Sequence, residues 1–188
     1  MRRFRRPGRA LRGMLNRGFR RSLRPGGPAA RLRRAHQAMA DRQFAAAAAE
    51  YLALAEAAQL RGLPQGAPLL IAAGMAAVEG GDADRGVEHI LRGLDEFRRR
   101  GQVRRLALAA RRIGGELRSR GYPSIADRIE SQVPGGGIEL TAEPSAEAVR
   151  LPAKCPQCGG SVHPEEVDWA DPRSAICDYC GSILPVET

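Results

Sequence analysis

Every cysteine of this chain lies in one short stretch, as two matched pairs: Cys155-Pro-Gln-Cys158-Gly and Cys177-Asp-Tyr-Cys180-Gly. No other feature constrains the fold as tightly. Two Cys-x-x-Cys turns separated by 18 residues fall in the window that reads as a four-thiolate zinc site, each pair chelating one ion from a tight turn. The glycine after each second cysteine lets the backbone take a positive φ and aim amide N–H groups at the sulfurs. Two disulfides are the competing arrangement. They fit less well in a chain that opens without the continuous apolar segment of a secretory signal, because paired knuckles of this spacing in a reducing compartment favour metal. About 35 residues cannot bury enough surface to fold unaided, whereas zinc contributes on the order of 10 kcal/mol to the folding of such modules. Four thiolates also close the coordination shell, so Cys155, Cys158, Cys177 and Cys180 are expected to hold a structural Zn²⁺ with no place for a reacting water.

With these residues the segment 154–185 resembles the zinc ribbons, in which two knuckles cap a small antiparallel sheet around a tetrahedral ion. His163 stands before Pro164 in the loop between the knuckles, where a solvent-facing role is expected because the ligand shell is already full. Trp169 alternates with Val167 ahead of the Asp171-Pro172 turn, which fits a strand. Its indole is expected either to cover the knuckles or to anchor a partner. The segment carries Lys154 and Arg173 against Glu165, Glu166, Asp168, Asp171, Asp178 and Glu187. A four-thiolate zinc centre adds two more negative charges, so phosphate is repelled and a basic protein surface, or the chain's own N-terminus, is the expected neighbour.

The composition of the whole chain is that of closely packed helices: 43% apolar residues but only 4% aromatic, with abundant alanine. Small residues recur at Ala35, Gly74 and Gly114, and again at Ala47, Gly86 and Ala126, with steps of 39 and 40 in both rows. That registry predicts three helix-turn-helix units whose paired helices approach at the small positions. Asp41, Asp82 and Ser124 are the expected helix starts. Val103, Leu106, Ala110, Ile113 and Leu117 form a single stripe expected to be buried. Residues 31–132 resemble a divergent tetratricopeptide array, with Phe44, Ala47 and Tyr51 matching the turn-aromatic-alanine pattern best. The period exceeds that family's ~34 residues, and Ala83 and Pro123 stand where an aromatic is usual; a plain helical bundle is the other reading. Arg104, Arg111 and Arg118, with Arg105 and Arg112 beside them and Arg98, Arg99 and Arg100 just before, form either a basic patch or a solvated face paired with acids.

The net charge of +9 is concentrated at the N-terminus, where residues 1–34 hold 13 arginines and no acid. Leu11, Met14 or Leu15, Phe19 and Leu23 recur at helical steps among these arginines. Such an arm suits an anionic membrane surface, a nucleic-acid backbone or an acidic protein surface, and charge alone does not separate the three. Gly8, Gly13, Gly18 and Pro7 argue for disorder until a partner arrives. An Arg-rich, acid-free start also fits an organelle transit peptide, but no apolar run approaches the ~20 residues of a bilayer span. No phosphate loop, and no nucleophile partnered with a base, is evident.

The expected fold is mostly α: a basic arm over 1–30, a tetratricopeptide-like helical repeat domain over 31–133, a flexible linker over 134–153 and a small β zinc ribbon over 154–188. The expected function is that of a non-enzymatic adaptor or scaffold. Protein partners would use the helical repeat and an anionic surface would take the arm, without a small-molecule substrate. The alternative is a nucleic-acid-associated zinc-ribbon factor anchored by the arm. The expected location is cytoplasmic, with the membrane surface as a further site for the arm.

Overall fold

The computed structural model describes residues 27–133, 151–164, 166–171 and 174–185. Most of the arm (1–26) and most of the linker (134–150) lie outside the described residues, and with them the expectations attached to those segments.

Six helices follow one another: α1 Pro28–Ala40, α2 Phe44–Gln59, α3 Gly66–Glu79, α4 Ala83–Arg99, α5 Val103–Ser119 and α6 Pro123–Gln132. Each helix packs on the next through a short turn, and α2 lies against both α1 and α3. Each turn is closed the same way, by an N–H reaching back to a carbonyl five residues earlier: Gln43 to Ala38 at 2.8 Å, Asp82 to Ala77 at 2.9 Å and Tyr122 to Leu117 at 2.8 Å. The residue before each of these donors is left-handed, at Arg42 (φ 60°), Gly81 (φ 87°) and Gly121 (φ 89°). The same turn closes the junctions before α3 and before α5, where the Leu63 N–H reaches the Ala58 carbonyl and the Gln102 N–H the Phe97 carbonyl, each at 2.9 Å, after left-handed Gly62 (φ 66°) and Gly101 (φ 69°), so the motif recurs at every helix junction. Glycine adopts this conformation without strain; Arg42 does so against its Cβ.

Of the expected helix starts, Asp82 is the one that caps its helix, accepting the Arg85 N–H at 3.3 Å. Asp41 instead terminates α1, and α2 starts after Gln43. Ser124 lies inside the first turn of α6, which opens on Pro123. The left-handed Arg42 delays the second helix, and a proline whose φ is preset for the first helical position advances the sixth.

The small positions do what their spacing predicts between α3 and α4, whereas a Cβ on Gly114 would meet the Glu130 side chain and not the α6 backbone. A Cβ on Gly74 would stand 2.5 Å from the Gly86 carbonyl oxygen, and one on Gly86 would stand 2.9 Å from that of Gly74. The α3 and α4 backbones therefore touch. Ala35, Ala47 and Ala126 are fully buried. Along α5 the expected stripe holds for Leu106, Ala110, Ile113 and Leu117, but Val103, at the helix start, is 50% exposed.

Two cores meet at α3. Eleven of its fourteen residues are buried: Leu70, Ala73 and Ala76 face the core shared with α1 and α2, whereas Ala67, Ile71 and Val78 face the one shared with α4, α5 and α6. That double burial explains why its sequence is apolar all round rather than striped. Among the described residues, no helix is long and apolar enough to cross a membrane.

The C-terminal segment forms a three-stranded antiparallel sheet, ordered β1 (Asp168–Asp171), β2 (Ser174–Ile176), β3 (Ile183–Pro185). Trp169 pairs with Ala175 and Ala175 with Leu184, with a register shift between Trp169 and Asp171. Leu151 is buried and the Ala153 carbonyl accepts the Val162 N–H at 3.0 Å. Leu151, Val167, Ala175 and Leu184 belong to the same core as Leu32, Tyr51 and Leu54 of α1 and α2. The sheet thus buries its inner face on the helices.

Candidate metal centre

The two knuckles are near copies. In the first, the Cys155 carbonyl accepts the Gly159 N–H at 2.8 Å, and the Cys155 N–H reaches the Gly160 carbonyl at 2.8 Å. In the second, Cys177 makes the same pair of 2.8 Å bonds with Gly181 and Ser182. Gly159 (φ 77°) and Gly181 (φ 72°) take the positive φ expected of them. The following Gly160 N–H points at the Cys158 Sγ, 3.5 Å away.

The four Sγ atoms lie within 4.8 Å of one another. Cys155 Sγ is 3.7 Å from Cys180 Sγ, and Cys158 Sγ is 3.8 Å from Cys177 Sγ. Disulfide sulfurs stand about 2.05 Å apart. Four sulfurs at about 2.3 Å from a tetrahedral zinc have edges near 3.8 Å. The spacing between knuckles thus fits the shell of a metal ion and not a pair of disulfides. Cys155, Cys158 and Cys177 are buried and Cys180 is partly covered.

Electrostatics also favours a cation here. Hydrogen bonds from the Cys158 and Cys177 thiols, working against burial, hold the Cys180 thiol well below its ordinary range. Its hydrogen bond with Cys177 pushes the Cys158 thiol well up. Sulfurs packed this closely ionise together only when a cation neutralises them. The Ser182 hydroxyl lies 3.0 Å from Cys180 Sγ and 3.3 Å from Cys155 Sγ, a supporting contact that the cysteine spacing did not disclose. The available signal was positional, since Ser182 follows its knuckle as Gly160 follows the other.

His163 is half-buried and outside the sulfur cluster. Its carbonyl accepts the Glu166 and Val167 N–H groups at 2.9 and 3.2 Å, so its role is to close a turn. Trp169 does not cover the knuckles. It is 42% exposed on β1, while Ala175 and Leu184 fill the inner face. The helices supply the apolar cover that the sheet lacks, which removes the need for the indole.

The expected basic neighbour is the chain's own helical layer. Arg105 of α5 ion-pairs with Asp178 and, at 2.9 Å, with Asp168, and its guanidinium lies 5.1 Å from the centre of the Phe97 ring. Arg112 Nε donates to Glu166 at 2.7 Å. From α1, Arg33 donates to the Gln157 carbonyl at 2.5 Å, and His36 Nδ1 lies 2.9 Å from the Cys158 carbonyl. A carbonyl can only accept, so His36 Nδ1 carries the proton. Desolvation by burial lowers the imidazole's pKa and so favours this neutral form. Its ring packs 5.5 Å from Tyr51 and, edge-on, 5.5 Å from Tyr179. Sequence reasoning singled out none of Arg33, His36 or Tyr179, since each acts through a partner far away in the chain.

The remaining arginines of α4 and α5 largely meet acids. Arg98 pairs with Asp95; Arg99 with Asp95 at 3.0 Å and Glu96 at 2.9 Å; Arg100 with Glu96 at 2.7 Å; and Arg118 with Asp127 at 2.7 Å and Glu130 at 2.6 Å. Of the two readings of this face, the paired one describes these four residues.

No protein-family model, no curated protein and no solved structure matches the chain. The geometry above defines its class: a protein whose described residues form six helices and a C-terminal cysteine cluster able to hold a metal ion.

Proposed function

We propose that the chain is a non-enzymatic adaptor, a tetratricopeptide-like helical array with a structural zinc ribbon docked on it. The observation that carries this reading is the sulfur cluster, its four Sγ atoms within 4.8 Å of one another and two cross-knuckle pairs at 3.7 and 3.8 Å, with three of its four cysteines buried. A zinc ion there has its four ligands from protein and none from water, so it stabilises and does not react. The common turn geometry at Arg42, Gly62, Gly81, Gly101 and Gly121 supports a regular helical array, and such arrays serve as binding surfaces. The chain's own ribbon occupies part of that surface, so a protein partner would engage what remains. The cationic arm docks on an anionic surface and places the protein at its site of work in the cytoplasm or on a membrane face.

A nucleic-acid-associated role is kept as a second reading because 13 arginines without an acid in residues 1–34 form a strong phosphate-binding composition. The test is purification of the reduced full chain with metal quantified, followed by copurification from native cells with and without nuclease. One zinc per chain and a nuclease-resistant protein partner are expected. A folded, metal-free ribbon, or a fourth coordination place held by exchangeable solvent, would overturn the adaptor reading. Recovery that vanishes with nuclease and falls steeply with salt would select the second.

A further inference from the structure

Where α2 and α4 flank the end of α3, a cleft of about 260 Å³ remains open. Ala49 and Leu52 of α2 form one wall, and Ala76 and Ala77 of α3, with Gly80 just beyond, form the floor. The other wall is the face of α4 that carries Asp82, Arg85 and His89. No residue of the ribbon lines this space. The ribbon sits over Ile71, Ala72 and Met75, and at about 100° per residue Ala76, Ala77 and Gly80 fall on the opposite side of the helix.

The two charged groups of the lining answer each other. Arg85 stands 3.5 Å from one oxygen of the Asp82 carboxylate, and the other oxygen caps α4 by accepting the Arg85 N–H. His89 has no such partner. It is only 9% exposed, its Nδ1 is enclosed without a hydrogen bond, and among the described residues none bonds to the ring. Burial, with the Arg92 charge adding to it, lowers the imidazole's pKa and keeps it neutral. A neutral imidazole offers one donor and one acceptor, and a half-turn of the ring exchanges Nδ1 with Cδ2, so the unmet nitrogen need not stay enclosed. Whichever nitrogen holds the proton, a hydroxyl can meet it, because a hydroxyl both donates and accepts. Alanine walls and a balanced charge call for an uncharged, apolar body behind that hydroxyl.

We propose that this cleft takes a tyrosine side chain from a protein partner, its ring lying against Ala49, Leu52 and Ala77 and its hydroxyl meeting His89. Tyrosine joins a neutral hydroxyl to a large apolar body, and the space is below the ~300–1,000 Å³ usual for drug-sized ligands. Serine and threonine would leave most of it empty. The chain does not supply the group itself. Its three tyrosines, Tyr51, Tyr122 and Tyr179, pack against the two cores, and the apolar residues of the arm, such as Leu11, Phe19 and Leu23, carry no hydroxyl. The inference rests on the adaptor reading for its protein partner.

The test uses the full, metal-loaded chain. Calorimetry and the His89 ring signals in NMR follow the addition of N-acetyl-tyrosinamide, N-acetyl-phenylalaninamide, p-cresol and a hexapeptide with a central tyrosine. The tyrosinamide should shift the His89 signals and bind about fivefold more tightly than the phenylalaninamide, the worth of one hydrogen bond. The hexapeptide should bind more tightly than p-cresol. Ala49→Phe fills the cleft from an exposed position, which spares the fold, and should abolish binding. His89→Leu should erase the preference for tyrosine over phenylalanine while binding of the ring persists. Equal affinities for the two amides in the unaltered chain, unmoved His89 signals, or an Ala49→Phe chain that binds as before would overturn the proposal. So would p-cresol binding as tightly as the hexapeptide, which would assign the cleft to a free phenol. These outcomes leave the adaptor reading standing, whereas a folded, metal-free ribbon would strike that reading and leave the peptide result untouched.

Discussion

The contact between α3 and α4 and the contact between the ribbon and α5 are held by opposite means. At the first, two glycines bring backbones together so closely that a Cβ on either would stand within 3.0 Å of the other's carbonyl oxygen. Nothing charged takes part, and the attraction is dispersion and excluded water summed over two long helices. At the second, Arg105 and Arg112 meet Asp168, Asp178 and Glu166, while the small sheet between them depends on its knuckles. The lesson is that one molecule can be intolerant of added atoms at one seam and of lost charge at another.

The largest expected effect separates the seams outright. Stripping the metal with a chelator should remove on the order of 10 kcal/mol from the ribbon and leave α3 and α4 helical. Hydrogen exchange should show residues 151–185 losing protection while 66–99 keep theirs. A uniform loss across both would mean that the two regions form one cooperative unit. Next, Arg105→Ala leaves Asp178, whose side chain is 15% exposed, without its cation, and breaking such a pair from one side costs about 3–5 kcal/mol. The ribbon should undock, read as increased exchange along α1 and β1; an unchanged profile would make the ion pair ornamental.

Gly74→Ala should cost about 1–3 kcal/mol by forcing α3 and α4 apart, measured as a lower denaturation midpoint that neither chelator nor salt alters. A neutral result would show that the backbones can separate freely. Smallest, Arg42→Gly relieves a left-handed residue bearing a Cβ and should raise stability by about 0.5–1 kcal/mol. Because the strain is local, the gain should appear equally with and without metal.

The two seams also differ in how far the sequence disclosed them. Gly74 and Gly86 could be placed because small residues at matched intervals report a local, periodic geometry. The four cysteines could be placed because chelation demands a spacing. The surface on which the ribbon lies could not. Arg33 and Gln157 are 124 residues apart, and nothing within either neighbourhood specifies the other. Trp169 went astray for the same reason: a mini-domain considered alone needs its tryptophan inside, whereas one backed by Leu32, Tyr51 and Leu54 does not. Asp41 and Ser124 misled on a smaller scale, where Arg42 and Pro123 moved a helix start past the polar residue that seemed to mark it.

Because α3 has buried neighbours on both flanks, its solubility is conditional. Peeling the ribbon and the first hairpin from one side would turn an enclosed helix into an amphipathic one, with Leu70, Ala73 and Ala76 newly wet. Its fourteen residues would then be the most adhesive length of the chain. Loss of both covers together, and not of the sheet alone, would therefore turn a folded protein into an aggregation hazard.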